Sequence, residues 1–193
     1  MTDDPFAPLP ERRGLFSVAQ IHHLLRVEFN RSQRHRYPLS CLVLAVDRLE
    51  SLRDRHGYEA KERVLDGIVS LLREATRSSD YLGRTADDRL MAIVPHTDSA
   101  GARVLARRLV ERARSMRLER MPEPFPVALS IGIAATGGEG DTFHDVLLAH
   151  AEVGLAEAIA AGGDRFAERA GASSASAAAQ VGARASDRPS PAG

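Results

Sequence analysis

Net charge is missing from this 193-residue chain: 26 basic and 26 acidic side chains cancel to +0. Bulk charge therefore makes no case for nucleic acid or an anionic membrane as a partner. Cysteine is nearly absent too. Cys41 stands alone, so no internal disulfide can form, in keeping with a reducing compartment. It lies in an apolar run and reads as inert core. No run approaches a membrane span, and the acidic, proline-broken start MTDDPFAPLPERRG has no apolar signal region. The chain is accordingly expected in the cytoplasm. Lysine is scarce, and the positive charge is almost all arginine. Arginine forks suit phosphates and guanine edges, although a genome rich in G and C gives the same bias.

What is present is enough for one domain. Hydrophobic residues make up 44 % of the chain, and the length allows a sizeable core. Residues 1–13 read as a flexible lead. The tail 169–193, rich in alanine, serine, glycine and proline, has little to pack and is expected to be disordered. The folded unit is then 14–168, without internal repeats. Val18, Ile21, Leu25 and Phe29 recur at helical spacing and predict an amphipathic helix over 15–36, stopped by Pro38. LSCLVLAV (39–46) is a continuous apolar run of central-strand length. Val64, Leu65, Ile68, Leu71 and Leu72 predict a helix over 58–76. YLGR (81–84) and RLMAIV (89–94) flank the polar turn TADD as a hairpin. Ala102, Leu105, Ala106, Leu109 and Val110 predict a helix over 98–116, and VALSIGIA (127–134) alternates as a strand. Thr142 with Asp145 resembles a capping box for a helix to Ala160, and DRFAE (164–168) suggests a last short strand. The fold class is α/β, an α+β sandwich: a ferredoxin-like βαββαβ core with an N-terminal amphipathic helix and an added C-terminal helix and short strand. Such a fold hosts many functions, so function must come from a site.

The start GLFSVAQIHHLL, the segment LAVDRLESLRDRHGYEAKERVL, the hairpin YLGRTADDRLMAIVP, the strand LSIGIA and the helix AEVGLAEAIAAGGDRF together resemble a GGDEF (diguanylate cyclase) domain over 14–168. The family makes cyclic di-GMP from two GTP molecules with metal ions. Under this resemblance the signature GGDEF falls on Ala86, Asp87, Asp88, Arg89 and Leu90. The acidic residue after the glycines becomes Arg89. The metal carboxylate at the end of the first strand becomes Ala45, which offers no oxygen ligand for magnesium. Asp47 matches the second aspartate of that strand's motif. The guanine-reading asparagine becomes Arg53 and its aspartate partner Glu62. Tyr58 replaces the histidine after Gly57, and Ile159 the phosphate-binding lysine. These changes lead to the expectation of no cyclase activity, no catalytic residue and no metal site or required cofactor. Asp87 and Asp88 also read simply as turn residues.

The resemblance implies a second site. Many members carry an inhibitory RxxD motif ending five residues before the signature. RSSD supplies Arg77 and Asp80 at that distance, and Arg108 falls in register on the next helix. An arginine fork can bond guanine O6 and N7, or a phosphate. A carboxylate can accept from the guanine N1–H and N2–H groups, which adds base selectivity. The bland alternative is a surface salt bridge between Arg77 and Asp80, worth about 0–1 kcal/mol. His22 and His23, the basic run 31–38 and GGEGD (137–141) carry no spaced partners and read as surface, helix end and loop. The expected function is a catalytically inactive receptor for cyclic di-GMP that acts on a protein partner or a second copy. The alternative is a docking module without a ligand. An active cyclase ranks third.

Overall fold

The computed structural model describes residues 14–116, 126–136 and 143–169. The lead 1–13, the GGEGD loop with Thr142, and the tail except Arg169 lie outside the described residues.

Helix α1 spans Val18–His35. It starts later than its apolar period suggests because Ser17 and Gln20 form a reciprocal capping box. Leu15 and Phe16 instead run beside the sheet edge. Strand β1 (Leu39–Val46) follows. Helix α2 covers Leu49–Ala75, interrupted at Gly57 (φ 82°, ψ 174°). The stretch before Gly57 went unread in the sequence because it buries only Leu49 and Leu52, too sparse a stripe to show a period. The hairpin is β2 (Tyr81–Arg84) and β3 (Leu90–Pro95). Helix α3 (Ser99–Arg114) is capped by Asp98, whose Oδ1 accepts the Gly101 N–H at 2.8 Å. Strand β4 (Leu129–Ala135), helix α4 (His144–Ala160) and strand β5 (Phe166–Glu168) complete the order. The residue before α4 is Phe143, which gives no side-chain cap.

The sheet order is β2-β3-β1-β4-β5. Strand β1 lies antiparallel between β3 and β4, and β2 is antiparallel to β3. These four strands are the ferredoxin-like core, and β5 extends it parallel to β4. Leu42, Leu44, Ile131 and Ile133 face one core with α2 and α3. Cys41, Val43, Met91 and Ile93 face the other with α1 and α4. With both faces covered, β1 is apolar at every position rather than at alternate ones. A Cβ on Gly132 would lie 1.9 Å from the Ala151 carbonyl oxygen, so α4 can seat on β4 only over a glycine. Cys41 is fully buried, and burial pushes its thiol up to about 12. Among the described residues no helix is long and apolar enough to cross a membrane.

Candidate functional site

Two polar regions stand on this scaffold: the tip of the β2–β3 hairpin, and the turn that leads from α2 into β2.

At the hairpin tip, Asp87 (φ 58°) and Asp88 (φ 57°) are both left-handed, and the Arg89 N–H reaches the Ala86 carbonyl at 3.3 Å. Positive φ at both central residues is the two-residue hairpin turn that tolerates aspartate well. The Asp88 carboxylate is 2.5 Å from the ammonium of Lys61, the chain's single lysine. Lys61 is only 6 % exposed and also reaches Glu50 at 3.2 Å. The hydrogen bond it donates to Asp88 is the first cause holding its pKa above the ordinary lysine value. Lys61 gave no signal in the sequence, because its partners lie at a distant hairpin and at the far end of its own helix.

The neighbouring positions are similarly engaged. Leu44 pairs with Leu90 and Ala45 with Ser130, and Arg89 directly precedes β3. Asp47 accepts from Ser130 Oγ and from the Asp164 N–H, each at 2.7 Å. Arg53 pairs with Glu50 and Asp54. Tyr58 is 66 % exposed and Ile159 45 %. Among the described residues no group of three or more His, Cys, Asp or Glu side chains could hold a metal ion. Asp88 and Asp47 place their oxygens on Lys61, Ser130 and the Asp164 backbone. His22 and His23 are exposed on α1, and His23 meets Arg26.

The RSSD turn is built differently. Helix α2 ends at Thr76, whose N–H and Oγ both donate to the Leu72 carbonyl. Asp80 then folds back: its Oδ2 accepts the Arg77 backbone N–H at 2.7 Å, and its own N–H donates to the Arg77 carbonyl at 3.0 Å. The carboxylate therefore binds Arg77 through the backbone, not through the guanidinium foreseen in the surface salt bridge. The other oxygen, Oδ1, is buried with no hydrogen-bond partner. Burial raises the Asp80 pKa above its ordinary value, against the lowering effects of the Arg77 N–H and charge and of the Ser79 side chain. An acceptor in this state carries an uncompensated desolvation cost that a donor ligand can relieve.

A cavity of about 390 Å³ opens here, with Arg77, Ser78 and Asp80 on its wall. Its volume is at the low end of the ~300–1,000 Å³ usual for small-molecule sites. Arg108 does not line it. Its Nη2 donates instead to the carbonyl of Ala75, two residues before Arg77, and so ties α3 to the end of α2. Arg73, from the last turn of α2, does line it. Sequence reasoning missed Arg73 because it lies outside the RxxD motif, with only its spacing of four from Arg77 as a clue.

Comparison with known proteins follows the same outline. The sequence model of the family described as "Diguanylate cyclase, GGDEF domain" matches residues 4–165. The diguanylate cyclase DgcP of Pseudomonas aeruginosa is 28 % identical over 165 residues, 84 % of this chain and 23 % of that protein. The response regulator PleD of Caulobacter vibrioides is 31 % identical over 134 residues, 65 % of this chain and 28 % of that protein. The chain thus spans about a quarter of the length of these curated relatives. Among solved structures, the GGDEF domain of DgcB from Caulobacter crescentus in complex with c-di-GMP superimposes with a TM-score of 0.75. It is 15 % identical, covers 80 % of this chain and 91 % of that one, and speaks for the fold. The expectation that the chain is not an enzyme is corrected by these relatives. The matched family is one of diguanylate cyclases, and the relative aligned over most of the chain is a diguanylate cyclase, so the family points to an enzyme.

Proposed function

Because the chain belongs to the GGDEF family of diguanylate cyclase domains, we propose that it binds cyclic di-GMP at the α2–β2 turn through Arg77, Asp80 and Arg108. The observation that carries this reading is the buried, unpartnered Asp80 Oδ1 beside an open cavity. A guanine edge supplies the two N–H donors that such an oxygen lacks. The Arg77 fork reaches guanine O6 and N7 or a phosphate oxygen. Arg108 joins from α3, exchanging the Ala75 carbonyl for a ligand phosphate. The association of a c-di-GMP complex with a domain of the same fold supports the choice of ligand. A protein partner or a second copy of the chain would receive the signal.

Titration of the whole chain with cyclic di-GMP by calorimetry tests the reading, with GTP and cyclic di-AMP as controls. A dissociation constant near or below about 1 µM, roughly −8 kcal/mol, with guanine selectivity, is the expected result. The affinity should be the same in EDTA as in magnesium, since none of the three side chains needs a metal to act. No heat and no competition at saturating ligand would overturn this reading of the turn.

A further inference from the structure

The cavity at the α2–β2 turn has a wall that the RxxD motif does not supply. Residues 14–16 cross the outer edge of β2: the Phe16 N–H donates to the Leu82 carbonyl at 2.8 Å, and the Arg84 N–H to the Phe16 carbonyl at 3.0 Å. This single parallel bridge, Phe16 to Gly83, closes the sheet edge. The Phe16 ring also meets Tyr81, with centroids 6.2 Å apart. Gly14 and Phe16 then form one side of the cavity and Arg73 another. The two sides touch. Gly14 has φ +46°, and a Cβ built there would lie 2.4 Å from Arg73 Nη2 and 3.2 Å from Cζ. The guanidinium thus meets the strap with its Nη2 end, at a position where a side chain is both strained and blocked.

We propose that Arg73 is a further ligand-binding residue of this cavity, taking a phosphate of the guanine nucleotide, and that the docked strap Gly14–Phe16 positions it. This rests on the reading of the cavity as a cyclic di-GMP site. The labour divides by chemistry. Asp80 takes the guanine N–H donors and so carries base selectivity. Arg73 presents a fork that cannot deprotonate and suits a phosphate. The cavity has room for one half of a cyclic dinucleotide, in which a base and a phosphate arrive together. Arg73 also sits where a cation favours the negative end of α2, and that purely structural role predicts no effect on ligand affinity.

Because the strap forms a wall, its docking and ligand binding are linked: whatever releases residues 14–16 from β2 also removes the wall that Arg73 meets at Gly14. The strap thereby offers a route by which a preceding segment or a partner bound there could set nucleotide affinity.

The test is calorimetric titration of cyclic di-GMP at several salt concentrations into the whole chain and its Arg73→Ala, Arg73→Lys, Gly14→Val and Arg77→Ala variants. Loss of one charge-assisted contact predicts about ten- to a hundredfold weaker binding for Arg73→Ala. Its salt dependence should be shallower, with the preference over cyclic di-AMP unchanged. Arg73→Lys should recover part of the loss, and Gly14→Val should weaken binding in the same direction. Thermal melts establish that each variant is folded. Wild-type affinity and salt dependence in Arg73→Ala, with binding lost in Arg77→Ala, overturns the role of Arg73 and leaves the cyclic di-GMP site standing. Wild-type affinity in a folded Gly14→Val overturns the positioning role of the strap. No binding by the unaltered chain overturns the site and this inference together.

Discussion

The hairpin tip and the α2–β2 turn lie at opposite ends of β2, and they handle charge in opposite ways. At the tip Asp88 is held by Lys61, and just past the end of β1 Asp47 is held by Ser130 and the Asp164 N–H. At the turn, one Asp80 oxygen is satisfied locally and the other is buried without a partner beside a cavity. The first arrangement fixes a loop to a helix. The second leaves a buried acceptor open to a donor that enters the cavity. A carboxylate is therefore a ligand group or a structural clamp according to which donors the fold has already brought to it.

The largest effect that separates the two regions should come from ligand titrations. Arg77→Ala and Asp80→Ala are expected to weaken cyclic di-GMP binding by about a hundredfold or more, since each removes a charged partner from a partly buried contact. Asp88→Ala is expected to leave that affinity unchanged. An equal loss in all three, measured by calorimetry on folded protein, would erase the distinction.

Next in size is stability. Lys61→Met leaves Asp88 without its cation and Glu50 with Arg53 alone, and should cost about 1–3 kcal/mol in a urea melt, with ligand affinity preserved. The lower figure is favoured by the exposure of Glu50 and Asp88, at 60 % and 32 %. Because the Lys61 pKa is raised, its contribution is complete below the ordinary lysine value and is lost as pH rises through the raised one.

Proton linkage sharpens the contrast from the other side. The Asp80 pKa is raised by burial, so the folded state holds its proton more tightly than the unfolded chain does. Its share of stability therefore falls as pH rises from the usual carboxylate value through the raised one. Ligand binding runs the other way, since only the ionised carboxylate accepts both guanine N–H groups. Cyclic di-GMP affinity should drop on acidification through the raised pKa, and Asp80→Asn should flatten that profile.

The smallest effect is an expected absence of change. Cys41 is fully buried with its thiol pushed up to about 12, so a thiol reagent should label it only on unfolding, with or without ligand.

Much of the scaffold could be read in one dimension. The unbroken apolar run of β1, the spacing of Val64, Leu65, Ile68 and Leu72, and the alternation in β4 each report a face buried by a neighbour, which is a local pattern. The α2 segment before Gly57 escaped because Leu49 and Leu52 alone make no period. In the candidate site, Arg77 and Asp80 were legible from the distance between RSSD and the hairpin. Arg108 was placed by register, and the structure sets its guanidinium on Ala75 rather than on the cavity wall.

By itself, then, the sequence determined the order of elements, the family resemblance and the RSSD turn, because periodicity and short-range spacing are written along the chain. Only the tertiary structure decided which charges are already paired. The Lys61–Asp88 clamp, the strap of residues 14–16 over β2, the packing of Arg73 on Gly14 and the lone Asp80 oxygen all depend on groups brought together from different elements. Burial and partner supply are properties of that three-dimensional neighbourhood, and they set whether a charged side chain holds the fold or waits for a ligand.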